Sequence, residues 1–206
     1  MPRRHRSLLL AAALLAAGVV RAEVVAQDQA DPGGDRLVMR APEGWVPAHE
    51  DRSEALYELV FLPADQTLDD WQQKLTIQAF LNLTKRRPAL TPADFAENLA
   101  RHWEQSCDGS GASPISAFLE RSYAAAVRLL FCPRNRGGQL GSVSMIKIMQ
   151  GKASMYLFER SWRGPAYPAS SIPVAQDTFD EWAEFLAATT LCNPGNAEAP
   201  CTTAPR

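Results

Sequence analysis

Histidine is scarce. The 206-residue chain has 3, and only His49 and His102 lie beyond residue 22. Since histidine is the commonest general acid–base and the usual partner of a nucleophile, few catalytic designs remain open. A basic surplus is also missing, with Lys+Arg at 21 against Asp+Glu at 23 and a formal charge of −2. That balance argues against a dedicated nucleic-acid binder. No pair among the four cysteines has C-x-x-C spacing, which excludes a thioredoxin-type motif and a zinc ribbon. Arg134, Arg136, Gly137 and Gly138 form a basic loop without either glycine spacing that cradles phosphate. There is no internal repeat. Beyond residue 22 no apolar run approaches the roughly 20 residues that a membrane helix needs. The bulk composition, 46% hydrophobic and 21% charged, excludes disorder and collagen-like repeats.

The first 22 residues read as a secretory signal peptide. Arg3, Arg4 and Arg6 form a positive start, Leu8 to Val20 is an uncharged run of 13 residues, and Val20-Arg21-Ala22 is a cleavage site. The run is too short to span a bilayer. Cleavage after Ala22 removes four arginines and no acid, so the formal charge moves from −2 to −6. The expected location is exported, periplasmic or extracellular. Residues 23–35 read as a flexible lead-in, 36–192 as a single globular domain, and 193–206 as a flexible tail rich in proline.

All four cysteines, Cys107, Cys132, Cys192 and Cys201, follow the signal segment, and an even count in an exported chain reads as disulfides. Four cysteines allow three connectivities, and spacing alone does not choose among them. Cys107 after a helix and Cys132 at a strand end fall at the rim of one sheet region. We therefore expect Cys107–Cys132, which leaves Cys192–Cys201.

Strand character is found at 37–39, at 56–62 and in the alternation of Leu75, Ile77, Ala79, Leu81 and Leu83. Residues 118–132 hold two strands or one long bent one. Residues 143–149 and 155–162 flank Gln150-Gly151-Lys152-Ala153, a hairpin turn. In the first arm the apolar parity slips from Val143 and Met145 to Ile146 and Ile148. Either both faces are covered there or a bulge shifts the register. Thr91-Pro92-Ala93-Asp94 starts a helix to about 107, and a second runs from about 173 to 188. A single helical turn is drawn at 68–71. Trp103 and Trp182 lie on the helical stripes and are expected to be largely buried.

Consecutive strands, a helix, more strands and a helix predict class α+β. The architecture is a single antiparallel sheet of about six to seven strands with two main packed helices, like an α/β/α sandwich. This order, with Pro42-Glu43-Gly44-Trp45 beside the first strand, resembles the PsbP-like fold group of accessory proteins. The resemblance implies a non-catalytic binding or assembly role and brings no catalytic residue with it. The four cysteines match no pattern of that group.

The residues expected to contact a partner are Trp45, Trp71 and the loop Lys85-Arg86-Arg87, which combine rigid apolar area with charge. The overall negative charge and this positive loop pull in opposite directions, so neither sign of partner is preferred. No metal or other cofactor is expected, and no nucleic-acid partner. His49-Glu50-Asp51 reads as a solvated turn. His102 and Cys107 lie five positions apart on one helix, so they point about 140° apart. The reading is an exported non-enzymatic binding or accessory protein of the envelope, with an unidentified protein or small molecule as partner. A small envelope hydrolase using His49 or His102 is the alternative.

Overall fold

The computed structural model describes residues 31–201. The signal segment and its cleavage site lie outside the described residues. Among the described residues twelve strands and three helices follow in order. They are β1 (Arg36–Val38), β2 (Trp45–Arg52), β3 (Leu56–Pro63) and β4 (Gln73–Phe80), then α1 (Leu83–Arg86) and α2 (Pro92–Ser106). Next come β5 (Cys107–Asp108), β6 (Gly111–Ala112), β7 (Ser116–Glu120), β8 (Tyr123–Cys132) and β9 (Arg134–Asn135). β10 (Leu140–Gln150), β11 (Met155–Pro165), α3 (Gln176–Ala188) and β12 (Thr190–Cys192) complete the chain.

The main sheet has eight strands in the order β2-β3-β4-β11-β10-β8-β6, with β7 also on β8. Every pairing is antiparallel. Because β6 and β7 share the outer side of β8, the sheet is seven strands wide. β1 does not join it. β1 pairs instead with β12 in a small ribbon of its own.

The sheet is covered on both faces. One face packs Phe61, Leu75, Ile77 and Phe158 against Trp182 and Leu186 of α3. The other packs Leu130, Ile146, Ile148 and Leu157 against Ala96 and Ala100 of α2. This resolves the parity slip in β10. Its pairing runs unbroken from Ser142 to Gln150 against both neighbours. Val143 and Met145 enter one core while Ile146 and Ile148 enter the other. A strand buried on both faces needs no alternation.

α2 starts where its caps dictate. The Thr91 hydroxyl accepts from Asp94 N at 3.1 Å, and Asp94 Oδ2 accepts from Thr91 N at 3.1 Å. This reciprocal capping box, with Pro92 in the first turn, satisfies amides that the helix cannot. α3 begins at Gln176, three residues later than expected, with Val174 packed as part of the approach. Trp182 is fully buried, whereas Trp103 is only half-buried because it lies at the margin of the α2 core. Residues 68–70 form bends and Trp71 is irregular, so there is no helical turn.

His49-Glu50-Asp51 is not a turn. It lies in edge strand β2, with a register shift between Pro47 and His49. Proline, a bulge and four ionisable residues are devices that stop an edge from recruiting another strand. The same features hid the strand from a periodicity reading.

Two cations are buried on the α3 face. Lys147 of β10 is 1% exposed. Its Nζ donates to Glu120 Oε2 at 2.6 Å, Leu186 O at 2.8 Å and Thr189 O at 2.7 Å. Three N–H groups therefore meet three acceptors, two of them carbonyls at the end of α3 that lack helical partners. Burial lowers the ammonium's pKa, against the pull of Glu120. Arg160 of β11 lies over the rings of Trp45 at 4.6 Å and Phe185 at 5.1 Å and donates to Glu181 Oε1 at 3.0 Å. Among the described residues, no helix is long and apolar enough to cross a membrane.

Candidate functional site

A cavity of about 640 Å³ opens at the end of the sheet where the β7–β8 and β10–β11 turns lie. Its walls include Thr84, Leu119, Ser122, Lys152, Asn193 and Asn196, over a floor that includes Asp35 and Tyr123. Two segments read from sequence as loose build it. Residues 31–35 of the lead-in and 193–201 of the tail are folded onto the domain, with Asp31, Asp35, Asn193 and Ala199 all buried. The lead-in and tail boundaries are corrected to that extent.

The reason is a set of turns closed by their own side chains. In Asp31-Pro32-Gly33-Gly34, Gly34 N donates to Asp31 O at 2.7 Å and Gly33 N to Asp31 Oδ2 at 2.9 Å. Gly34 takes φ +82°, which its lack of a Cβ permits. The turn aims Asp35 inward. Asp35 Oδ1 accepts from Tyr123 Oη at 2.9 Å and Asn193 Nδ2 at 2.9 Å, and Oδ2 accepts from Lys152 N at 2.6 Å. Asn193 Nδ2 also donates to Gly33 O at 3.0 Å. One carboxylate thus ties the N-terminal segment, the β7–β8 hairpin, the β10–β11 turn and the C-terminal segment together. Gly151 is required here. A Cβ on it would stand 2.6 Å from Asp35 Oδ2 and 2.7 Å from the Tyr156 ring.

Burial sets the electrostatics of this clasp. It raises the Asp31 carboxyl, opposed by hydrogen bonds from the Ser154 hydroxyl and Gly33 N. Burial likewise raises the Tyr123 phenol, helped by its bond to Asp35. The Tyr156 phenol is pushed up by burial and then by Asp31 and Asp35. The Asp35 oxygens accept from three neutral donors, so they hold structure together. Lys152, Asn196 and Thr84 also line the cavity, and of these Lys152 is exposed and brings a positive charge. The Asn196 amide donates to the Ser122 hydroxyl at 3.1 Å and accepts from Glu198 N at 3.0 Å, and the Thr84 hydroxyl is buried without a partner among the described residues. Among the described residues, no cluster of three or more His, Cys, Asp or Glu could hold a metal.

The disulfides are Cys107–Cys132 and Cys192–Cys201. The first fastens the end of α2 to the end of β8. The second closes the loop that carries Asn193. A Cys107 in a disulfide is no nucleophile, so its pairing with His102 is ruled out. His49 Nε2 stands 3.9 Å from Glu58 Oε1, on the β2 edge, and His102 is exposed on α2.

The expected contact residues are not gathered in one place. One face of the Trp45 ring is taken by Arg160. The Trp71 ring has Lys74 at 4.5 Å and Arg163 at 4.4 Å. Trp71 precedes the start of β4 whereas Lys85 follows its end, so about 25 Å of strand separates them. Lys85 and Arg86 lie in the short helix α1 rather than a loop, and Arg87 is its C-cap. All three are exposed and directly follow Thr84, which lines the cavity; Lys85 Nζ reaches Pro32 O at 3.5 Å and Arg86 donates to Leu81 O at 3.2 Å. Asp35, Tyr123 and Asn193 were missed. The only local signals, for Asp35 and Asn193, are the turn sequences Asp-Pro-Gly-Gly-Asp and Asn-Pro-Gly-Asn.

No protein-family model matches the chain, and no curated protein matches its sequence. Solved structures are similar over most of its length. The Ran-binding protein Mog1p of Saccharomyces cerevisiae is 10% identical with a TM-score of 0.49, covering 75% of this chain and 89% of that one. The PsbP protein (CyanoP) of Synechocystis is 11% identical with a TM-score of 0.44, covering 77% and 92%. LpqN of Mycobacterium tuberculosis, described as involved in cell envelope biogenesis, is 14% identical with a TM-score of 0.41, covering 79% and 87%. At these identities and TM-scores no partner or residue role transfers.

Proposed function

We propose that this chain is an exported, non-enzymatic binding protein of the cell envelope whose cavity takes an anionic group. The observation that carries the reading is the cavity itself. Its volume lies in the range of ligand sites, Lys152 lines it, and Asp35 ties its walls together by accepting from Tyr123, Lys152 N and Asn193. Lys152 lines the cavity and the exposed cations Lys85, Arg86 and Arg87 follow its wall residue Thr84 in the chain, while the Asp35 carboxylate on the floor is taken up by three donors. Salt screens charges beyond about 10 Å, so cations near the opening count for more than the overall charge. Export is supported by the pairing of all four cysteines, since such bonds persist in oxidising compartments.

Three measurements test the reading. Protein from the envelope fraction should begin at Glu23 by mass spectrometry, and intact Met1 in a soluble cytoplasmic pool would overturn the export claim. Inorganic phosphate and citrate, titrated as probe anions, should raise the unfolding midpoint of wild type. Lys152→Glu and Arg86→Ala/Arg87→Ala should reduce that rise. Equal responses in all three proteins would reduce the cations to solvated surface. Hydrolysis of ester, peptide or glycan substrates that is lost with His49→Ala or His102→Ala would overturn the non-catalytic claim.

A further inference from the structure

The two edges of the main sheet are built in opposite ways. β2 carries Pro47, a bulge and charged side chains. β7, on the far side, reads Ser116-Ala117-Phe118-Leu119-Glu120, with no proline, no lysine and no bulge. Its one ionisable group, Glu120, is turned inward to Lys147. Phe118 is 40% exposed and Leu119 is 77% exposed, the largest value among the exposed large apolar residues. Among the described residues, β7 pairs only with β8.

The hairpin turn fixes which peptide groups of β7 are free. Arg121 and Ser122 both have positive φ, at 48° and 70°, and Glu120 pairs with Tyr123 across them. This is a two-residue turn of the I′ kind, whose flanking pair exchanges both backbone hydrogen bonds. Alternation then gives Glu120, Phe118 and Ser116 to β8. The N–H and C=O groups of Ala117 and Leu119 point away from the sheet. Five residues of unblunted strand with outward peptide groups and exposed apolar side chains make a pairing surface.

We propose that β7 pairs antiparallel with β7 of a second copy of this chain about a two-fold axis at Phe118, joining the two sheets into one. The strand is complementary to itself in this register. Ala117 and Leu119 exchange backbone hydrogen bonds with the partner's Leu119 and Ala117. Phe118 meets the partner's Phe118 in the closer kind of cross-strand pair, on the α3 face, where aromatic pairs stabilise sheets. Ser116 falls opposite the partner's Glu120, so no like charges meet. An isologous contact of this sort closes on itself and leaves no free edge for a third copy, because the outer edge of each half is the blunted β2. The pairing is argued from the β7 edge and not from the anion reading; Leu119 also lines the cavity, so Ala117→Pro is the variant that tests the edge without touching the cavity wall.

Sedimentation velocity over a concentration series tests the pairing, alongside hydrogen exchange read at single amides. The disulfide-intact exported protein should move to twice the mass of one chain as concentration rises. The amides of Ala117 and Leu119 should become protected in step. Ala117→Pro removes an outward N–H that β8 does not use, so it should hold the mass at one chain without lowering the unfolding midpoint. Leu119→Lys, at the most exposed apolar side chain, should do the same if the proline disturbs β7. Wild type that stays at one chain's mass with both amides unprotected overturns the proposal. So does protection of both amides at one chain's mass, which would assign the edge to another segment of the same chain. A dimer that survives both substitutions places the contact elsewhere.

Discussion

Replacing Lys147 with methionine should destabilise the fold through what it strands rather than through the charge it removes. The ammonium is 1% exposed and meets one carboxylate oxygen and two carbonyls at 2.6 to 2.8 Å. Methionine fills similar volume and removes the donors. The carbonyls of Leu186 and Thr189, in residues that are 2% and 1% exposed, then lose a partner, at a cost of about 1 kcal/mol each. The Glu120 carboxylate, 21% exposed, is left beside an apolar group and costs about 2 kcal/mol more. The sum, about 4 kcal/mol, agrees with the general cost of removing one member of a buried pair. For a chain of this size it corresponds to a fall of about 10 °C in the unfolding midpoint.

The origin of the loss can be separated from its size. Burial already lowers the Lys147 pKa despite its partner, so the pair as a whole is not a large net stabiliser. Adding Glu120→Leu to Lys147→Met removes the stranded carboxylate and should restore about 2 kcal/mol. Urea denaturation of wild type, the single and the double variant measures both changes. A single-variant loss below about 1 kcal/mol would refute the reasoning.

Two further outcomes concern the clasp. Cys192→Ser/Cys201→Ser opens a loop with a sequence separation of 9, which should cost about 2.5 kcal/mol by chain entropy and speed hydrogen exchange at Lys152 N, whose acceptor Asp35 is held by Asn193. Exchange at Lys152 that is unchanged would show that Asp35 is held without the C-terminal segment. Burial raises the Asp31 pKa above 3.8, so its favourable contribution is full below that value and is lost as pH rises through the folded pKa. The stability of wild type relative to Asp31→Asn should therefore decline from acid toward neutral pH in a denaturant series, and a difference that grows with pH would contradict it.

The sequence by itself determined the elements whose residues carry a local period or a local cap. Thr91-Pro92-Ala93-Asp94 starts α2 through contacts three residues apart, and the alternation of Leu75, Ile77 and Ala79 marks β4 because one face of it meets α3. Cysteines at the ends of α2 and β8 and at the ends of a short loop could be paired from their places along the chain. Tertiary structure decided what depends on residues far apart. Asp35 receives its hydrogen bonds from Tyr123, Lys152 and Asn193, across separations of 88, 117 and 158 residues, so no local window announces that the D-P-G-G-D turn is buried. It also decided that β10 is covered on both faces, that the polar run after Trp45 is an edge strand, and that Lys147 lies in the core. In each case the side chain's fate follows from which partner the sheet order and helix packing set beside it, and periodicity records only the one face that a strand or helix buries locally.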